Sequence, residues 1–479
     1  MGEPAGAVSA RRQGSGPWTW ILRNIVLPAG DRVFGQRMMR RLRFLEEAQW
    51  WDPERIEAER RRALSALVDV AYREVLFYRE LFDGAGVDPR AVTSVEALRR
   101  VPIVTKDMLR PRYPDATTRP TGQRTYESCS SGSTGKNFCV REDMETAGWY
   151  RASFLLALEW SGWRIGAPHL QTGMTLERSR DRRWKDRLLR CHYVSAYDLS
   201  DASLDRCLEE IEIHGLKHVF GYPGSLYLLA RRAAVRGWNR SLESAVTWGD
   251  MLHPHYRREI ETVFRTRVFD TYGCGEGFHI AAQCGTGNTY HVHSLDVIVE
   301  YVDHEGCSVA AGQPGDIVIT RLHPGPMPLI RYANGDSGVA VPGRRCPCGR
   351  GFEVMEGIQG RSGDVVVTPS GNRLIVHFFT GILEHFQDIA NFQVIQEERD
   401  RLVVRIVPGV GFGSETAAQV RNRLRERGLM DMRIDVEVTP DIPKPKSTKH
   451  RFVLSNLSPS AAGNQKVVAA GASTSPSAR

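Results

Sequence analysis

Across residues 38–82 apolar side chains recur at helical spacing, with Leu42, Leu45, Leu64, Leu67, Val70, Ala71 and Val75 on one stripe, broken near Asp52-Pro53. A period of 3.6 places such positions on one face, so the pattern predicts at least two amphipathic helices. Upstream, the apolar run 18–28 is interrupted by Arg23 and Asn24. It is too short to span a bilayer and reads as an amphipathic helix laid on the body of the protein. Farther along, helical periods around 144–159, 203–214 and 222–235 alternate with short apolar runs such as His218-Val219-Phe220 and Arg267-Val268-Phe269-Asp270. That alternation predicts an α/β domain. Between 289 and 340 the period shortens to two, over 293–300 and then 316–320, which predicts a β-rich section. The last block reads strand, helix, strand, helix, strand over 365–367, 376–386, 402–407, 417–427 and 432–438, and is small enough to be a separate mobile α+β domain. The expected organisation is a tail over 1–16, a large α/β domain with a β-rich section over 17–360, a small domain over 361–455, and a tail rich in Ala, Ser and Gly over 456–479.

Composition adds constraints. With 479 residues, 41% hydrophobic and 25% charged, the chain can build a substantial core. The formal charge of +8 is spread widely; the arginine-rich stretches near 55–62 and 180–190 read as solvated helix faces. No zinc-finger, homeodomain or RNP-like signature accompanies the charge, so no nucleic-acid partner is expected. A surplus of cations suits polyanionic small ligands. Nine cysteines, an odd number without the spacing of a disulfide framework, and a start that lacks the pattern of a signal peptide predict reduced thiols in the cytoplasm. No transmembrane segment is expected, and nothing in the pattern specifies an oligomeric state.

The densest chemistry lies in Ser130-Ser131-Gly132-Ser133-Thr134-Gly135-Lys136, with four hydroxyls, two glycines and one cation in seven residues. Glycines let backbone N–H groups turn inward, hydroxyls add donors and the lysine adds charge, so this loop can wrap a polyphosphate; read alone, such a turn is more often a solvated surface loop. It is not a Walker loop: two residues separate Gly132 from Gly135, and Asn137 stands where Ser or Thr would hold magnesium. Asp270-Thr271-Tyr272-Gly273-Cys274-Gly275-Glu276 is a strand emptying into a tight turn that presents Glu276, either a magnesium ligand or a surface acid. Phe278 in place of a third glycine excludes a dinucleotide fingerprint. Asn334-Gly335-Asp336 is a turn whose acid suits a ribose diol, and Gly360-Arg361-Ser362-Gly363-Asp364 lies at the inferred domain junction. A basic, proline-stiffened stretch, 443–451, is either a solvated loop or a carrier for a lysine that swings over a reacting phosphate. Cys284, His291, Cys346 and Cys348 supply the S/N set of a tetrahedral structural zinc, with His293 competing for the place of His291; buried unrelated thiols are the alternative. No Gly-x-Ser-x-Gly elbow stands at a strand-to-helix junction, which argues against a serine hydrolase.

In this order the segments resemble the signature series of the adenylate-forming superfamily, in its phenylacetate–CoA ligase and CapK-like branch. The resemblance spans nearly the whole chain between the tails. It includes Phe77-Tyr78-Arg79-Glu80-Leu81-Phe82 and Pro102-Ile103-Val104-Thr105-Lys106, which are similar to tyrosine-rich and Pro-Ile-x-Thr-Lys stretches of that branch. The resemblance implies that residues Ser130 to Lys136 bind the ATP phosphates, that Gly249, Asp250, Tyr272 and Gly273 lie on the adenine side, that Glu276 binds Mg2+, and that Asp336 and Arg361 hold the ribose. It further implies that Gly363 and Asp364 belong to a hinge, that Lys449 is the catalytic lysine, and that Cys284, His291, Cys346 and Cys348 hold a structural zinc. The activity implied is ATP-dependent formation of an acyl-adenylate from a carboxylic acid, an aromatic one by resemblance, followed by transfer to coenzyme A. Transfer to an amine or a carrier-protein thiol is the alternative within the class, and a non-catalytic nucleotide- or nucleic-acid-binding protein is the alternative outside it. Gly363, Thr448 and Gly275 depart from the residues usual in the family, which bears on the second half-reaction more than on the first. Trp149, Tyr150, Tyr222 and Trp248 are candidate walls of an aryl pocket, or core.

Overall fold

The break at Asp52-Pro53 is a helix start. The Asp52 carboxylate accepts a hydrogen bond from the Arg55 N–H at 2.8 Å, and Pro53 fills the first turn, where no N–H is needed. Helix Met38–Ala48 ends before it, and Leu76–Gly84 follows the 22-residue helix Pro53–Glu74. Leu64, Leu67, Ala71 and Val75 are buried beside Phe77, Tyr78 and Phe82 as their spacing predicts, but Val70 is only half-buried and Val68 takes its place in the core. The apolar stretch near the start forms helical turns over Pro17–Ile21, Leu22–Val26 and Leu27–Phe34. Leu22 is buried in the body and the Trp18 indole N–H donates to the Leu188 carbonyl, whereas Trp20, Ile25 and Phe34 face outward. These features belong to a computed structural model that describes residues 16–457 apart from 131–137, 175–177, 197, 304, 360–361, 364–365, 371–372, 375, 384, 387 and 443–450.

The centre is an eleven-stranded mixed sheet. Cys191–Ser195, His169–Gly173, His218–Gly221, Ser244–Thr247 and Val268–Cys274 lie side by side and parallel. The order then continues antiparallel through Phe278–Gln283, Tyr290–Val292, Val354–Gln359, Tyr332–Ala340, Pro314–Arg321 and Val297–Val302. Helices Asp201–Ile213, Pro223–Val235 and Pro254–Phe264 bury Leu204, Leu208, Leu226, Leu229, Ile260 and Phe264 on one face of the parallel half. On the other face, Met144–Trp160 and the N-terminal helices bury Ala152, Leu156 and Trp160 against Phe220, Val246 and Phe269. Parallel strands covered on both faces read as short apolar runs, which is why His218–Gly221 and Val268–Cys274 were expected.

The β-rich section is partly displaced from its pattern. Residues 293–296 form a tight turn, with the Asp296 and Val297 N–H groups both donating to the His293 carbonyl, and the strand begins only at Val297. The hairpin Thr125–Ser130 with Phe138–Asp143 is absent from the expected series: its first strand is polar, and the second alternates only over Phe138 and Val140. The small C-terminal unit has a five-stranded sheet in the order Ser362–Gly363, Arg451–Ser455, Ile389–Glu398, Arg401–Pro408, Arg433–Val438. Helices Val376–Leu383 and Ser414–Leu424 cover it around Phe378, Phe379, Phe392 and Phe452. Strands Ile389–Glu398 and Arg451–Ser455 are additional to the expected series, and the helix expected over 376–386 stops at Leu383. Reduced thiols do not hold throughout: Cys139 is disulfide-bonded, while Cys191, Cys207, Cys274, Cys284, Cys307, Cys346 and Cys348 are free. Among the described residues no helix is long and apolar enough to cross a membrane.

Candidate active site

In an open α/β sheet, ligands collect beyond the carboxyl ends of the parallel strands. Gly249-Asp250 and the turn 275–277 follow neighbouring parallel strands, Ser244–Thr247 and Val268–Cys274, and therefore emerge at the same edge. Gly249 holds φ +79°, a conformation that favours glycine, and the Asp250 carboxylate accepts from the Met251 N–H at 2.8 Å.

Glu276 is buried, with 1% of its surface exposed. One carboxylate oxygen receives the Lys106 ammonium at 2.8 Å and the Tyr332 hydroxyl at 2.7 Å. Lys106 reaches it because Val104 bridges Tyr332: the Val104 N–H donates to the Arg331 carbonyl at 2.8 Å and the Ala333 N–H to the Val104 carbonyl at 2.9 Å. The resemblance in sequence includes the Pro102 to Lys106 stretch but implies no role for Lys106. Arg331 carries φ +47°, and its guanidinium is held by Glu300 and by the carbonyls of Arg99 and Val101. Tyr78 supports the same segment, donating to the Pro328 carbonyl at 3.1 Å and accepting from the Ile330 N–H at 2.9 Å.

Two residues past Asn334, the carboxylate of Asp336 receives the Tyr272 hydroxyl at 2.9 Å and the Asn334 amide at 2.8 Å, and the same amide donates to the Tyr272 oxygen at 2.7 Å. The Asp336 N–H donates back to the Asn334 side chain at 3.0 Å, closing the turn that Gly335 permits with φ +84°. Tyr272 and Asp336, 64 residues apart, thus meet directly, and Tyr332 and Cys274 link them to Glu276. Burial first, then the neighbouring carboxylates, pushes the Tyr272 and Tyr332 phenols well above their usual range, so both remain protonated donors. Burial first, then Glu276, likewise keeps Cys274 a thiol and not a nucleophilic thiolate.

The hairpin that carries the serine- and glycine-rich loop is tied to this turn at both roots. The Ser128 hydroxyl donates to the Gly275 carbonyl at 3.0 Å, and Phe138 stacks on Tyr332 with ring centroids 5.9 Å apart. Glu142, farther along the second strand, pairs with the buried Arg321 at 2.9 Å, and Arg321 donates to the Glu276 and Gly277 carbonyls. Ser130 ends the first strand in register with Phe138. Ser131, Gly132, Ser133, Thr134, Gly135 and Lys136 lie outside the described residues, as do Arg361, Asp364 and Lys449. Gly363 pairs with Val453 in the small sheet. Met174, just past the carboxyl end of His169–Gly173, packs against the small unit's core, which sets that unit at the same edge of the large sheet.

Cys284, His291, Cys346 and Cys348 also converge, with their donor atoms all within 4.8 Å of one another. Cys284 and Cys346 sulfurs are 3.5 Å apart, and the Cys348 sulfur is 3.3 Å from His291 Nε2. Two sulfurs at about 2.3 Å on a tetrahedral ion would stand roughly 3.8 Å apart, so the donor set fits zinc. His293 is not part of it; its Nε2 lies 2.9 Å from His279 Nδ1. Phe278–Gln283 runs antiparallel to Val268–Cys274, so the cluster beyond Gln283 sits at the opposite end of the sheet from Glu276. Of the candidate aryl walls, Trp149 stacks on His323 and Tyr222 packs into the core of the parallel half, while Tyr150 and Trp248 flank Phe154.

The CapK C-terminal domain family matches residues 366–456. The phenylacetate-coenzyme A ligase of Thermus thermophilus is 27% identical over 330 residues, covering 66% of this chain and 72% of that protein. The Escherichia coli phenylacetate-coenzyme A ligase is 25% identical over 325 residues, covering 62% and 69%. A solved structure of 2-hydroxyisobutyryl-CoA ligase in complex with 2-HIB-AMP and CoA superposes with a TM-score of 0.59 at 20% identity, covering 86% of this chain and 91% of that one, a likeness of fold. Taken with the geometry at the sheet edge, these matches make the chain a homologue of the phenylacetate–coenzyme A ligases, with the fold of a solved acid–CoA ligase and a match to the CapK C-terminal domain family over residues 366–456.

Proposed function

We propose that the protein activates a carboxylic acid, of the aromatic class, with ATP to an acyl-adenylate and transfers the acyl group to coenzyme A. The observation that carries this reading is the meeting of Lys106, Glu276, Tyr332, Tyr272, Asn334 and Asp336 at one strand edge, beside the roots of the loop 131–137. A site of this composition offers preorganised charge and donors rather than a nucleophile, as suits in-line attack of a carboxylate on an α-phosphate. Asp336, oriented by Tyr272 and Asn334, would accept the ribose hydroxyls; Ser130 to Lys136 would cradle the phosphates. The Glu276 carboxylate is a hard oxygen donor suited to Mg2+, which when bound would neutralise phosphate charge. Lys449 would be carried to the same edge by a small lid domain beginning at residue 361, with Arg361, Gly363 and Asp364 at the pivot. The cluster of Cys284, His291, Cys346 and Cys348 would hold a structural zinc away from the reaction. A reaction that draws on ATP and coenzyme A suits the cytoplasm.

The test is acid-dependent pyrophosphate release over a panel of carboxylic acids, with coenzyme A, hydroxylamine and candidate amines compared as acceptors. Thioester formation with an aromatic acid is the expected result. Amide or carrier-thioester formation in its place would move the second step to the alternative acceptor, and ATP binding without acid-dependent pyrophosphate release would overturn the enzymatic reading.

A further inference from the structure

Tyr150 and Phe154, one turn apart on helix Met144–Trp160, lie parallel with ring centroids 6.4 Å apart. Phe154 meets Trp248 edge-on at 5.6 Å and His279 at 5.1 Å, and Tyr150 meets His279 at 6.4 Å. Trp248 directly precedes Gly249, and His279 stands opposite Gly273 in the strand pair that holds the reactive turn. This aromatic group therefore adjoins Gly249 and Gly273, which the resemblance places on the adenine side. Tyr150 is partly exposed at its surface, and desolvation, then Glu142 and Cys274, raises its phenol above the ordinary range.

His279 is buried beside these rings. Its Nδ1 is hydrogen-bonded to His293 Nε2 at 2.9 Å, while its own Nε2 and the Nδ1 of His293 have no partner among the described residues. Burial lowers the His279 pKa to about 3, so the imidazole is neutral. A neutral imidazole carries one N–H, on Nδ1 or on Nε2. His279 Nε2 is a donor in one tautomeric arrangement and an acceptor in the other. A polar nitrogen buried without a partner is costly, and a matching group on a ligand would relieve that cost.

We propose that His279 Nε2 selects the substrate, and that the acid activated here is an aromatic acid bearing a hydrogen-bonding ring substituent, a hydroxyl or an amino group. This deepens the acid-activation reading and rests on it. A pocket built to hydrogen-bond a substituent rejects the analogue that lacks it, because the pocket's own polar atom is then left bare.

The experiment is acid-dependent pyrophosphate release by the full-length protein with phenylacetate and benzoate, each against its hydroxy and amino derivatives. The parent is expected to favour a substituted acid tenfold or more in kcat/KM. His279→Leu should bring that ratio to about one, and His279→Gln should restore part of it. Equal kcat/KM for plain and substituted acids in the parent would overturn the inference while leaving the acid-activation reading intact, and this comparison stands even if a variant fails to fold. A ratio unchanged in a folded His279→Leu protein would overturn it as well. Pyrophosphate release with no acid in the panel would instead remove the underlying reading.

Discussion

Lys106→Met tests how the reactive turn is held. The substitution keeps the length of the side chain and removes the charge 2.8 Å from the buried Glu276 carboxylate. At that separation the gross attraction is about 6 kcal/mol with an effective dielectric of 20. Desolvation offsets much of it, and the net cost of stranding one member of a buried pair is about 3–5 kcal/mol. Lys106 retains 15% side-chain exposure, so water can reach its end of the pair and the lower figure applies, about 3 kcal/mol. Glu276→Gln removes the charge Lys106 answers, so the double variant should be less destabilised than the sum of the singles by about 2 kcal/mol. Urea unfolding followed by tryptophan fluorescence on the four proteins of this cycle measures the coupling. A coupling below about 0.5 kcal/mol, the margin within which independent sites add, would refute the claim that Lys106 holds Glu276 in place.

Tyr78→Phe should destabilise the protein by about 2–4 kcal/mol, since it strands the Pro328 carbonyl and the Ile330 N–H; a loss under about 1 kcal/mol would show that these groups find other partners. Burial lowers His169 and His218 to about 4, so in the fold both stay neutral while the unfolded chain takes up protons below about 6.5. Their contribution is intact above that value and is lost as pH falls toward 4, by at most about 1.4 kcal/mol per pH unit each. Asp270 and Asp296, pushed up to about 6 by burial, act in the opposite sense, so the decisive comparison is His218→Gln against the parent: the variant's decline between pH 6.5 and 4.5 should be shallower, and parallel curves would refute the assignment. Cys346→Ser should reduce zinc content and soluble yield, and a parent protein that is fully stable with no bound metal would end that reading. Lys449→Ala should slow adenylate formation roughly 10²–10³-fold; an unchanged pyrophosphate-exchange rate would remove Lys449 from the mechanism.

Helices announced themselves where one face is apolar: Met144–Trp160, Asp201–Ile213 and Pro223–Val235 start within two residues of their expected places, helped by Asp143 and Ser200 as caps. Strands were legible where both faces are covered, as at His218–Gly221, and illegible where polar residues dominate, as in Thr125–Ser130. Motif order and the family resemblance sufficed to group Tyr272, Glu276 and Asp336, which strands Val268–Cys274 and Tyr332–Ala340 bring together. Lys106 and Asn334 were harder to assign. Their parts depend on contacts between segments more than a hundred residues apart or on a side chain turning back within a loop, and neither leaves a periodic trace. The choice between His291 and His293 likewise waited on coordinates, since spacing treats them alike and only strand geometry turns one toward the thiols and the other toward His279.

Phe278–Gln283 joins two places that do different jobs. One end aligns Phe278 with Cys274 next to the reactive turn; the other runs into Cys284 and its cluster, about 20 Å away at the rise of a strand. Were the proposed zinc held at the far end, the strand would behave as a beam anchored at its foot, and loss of the ion would fray the beam before it disturbed the chemistry above. Metal supply would then govern how long each molecule survives rather than how fast it turns over.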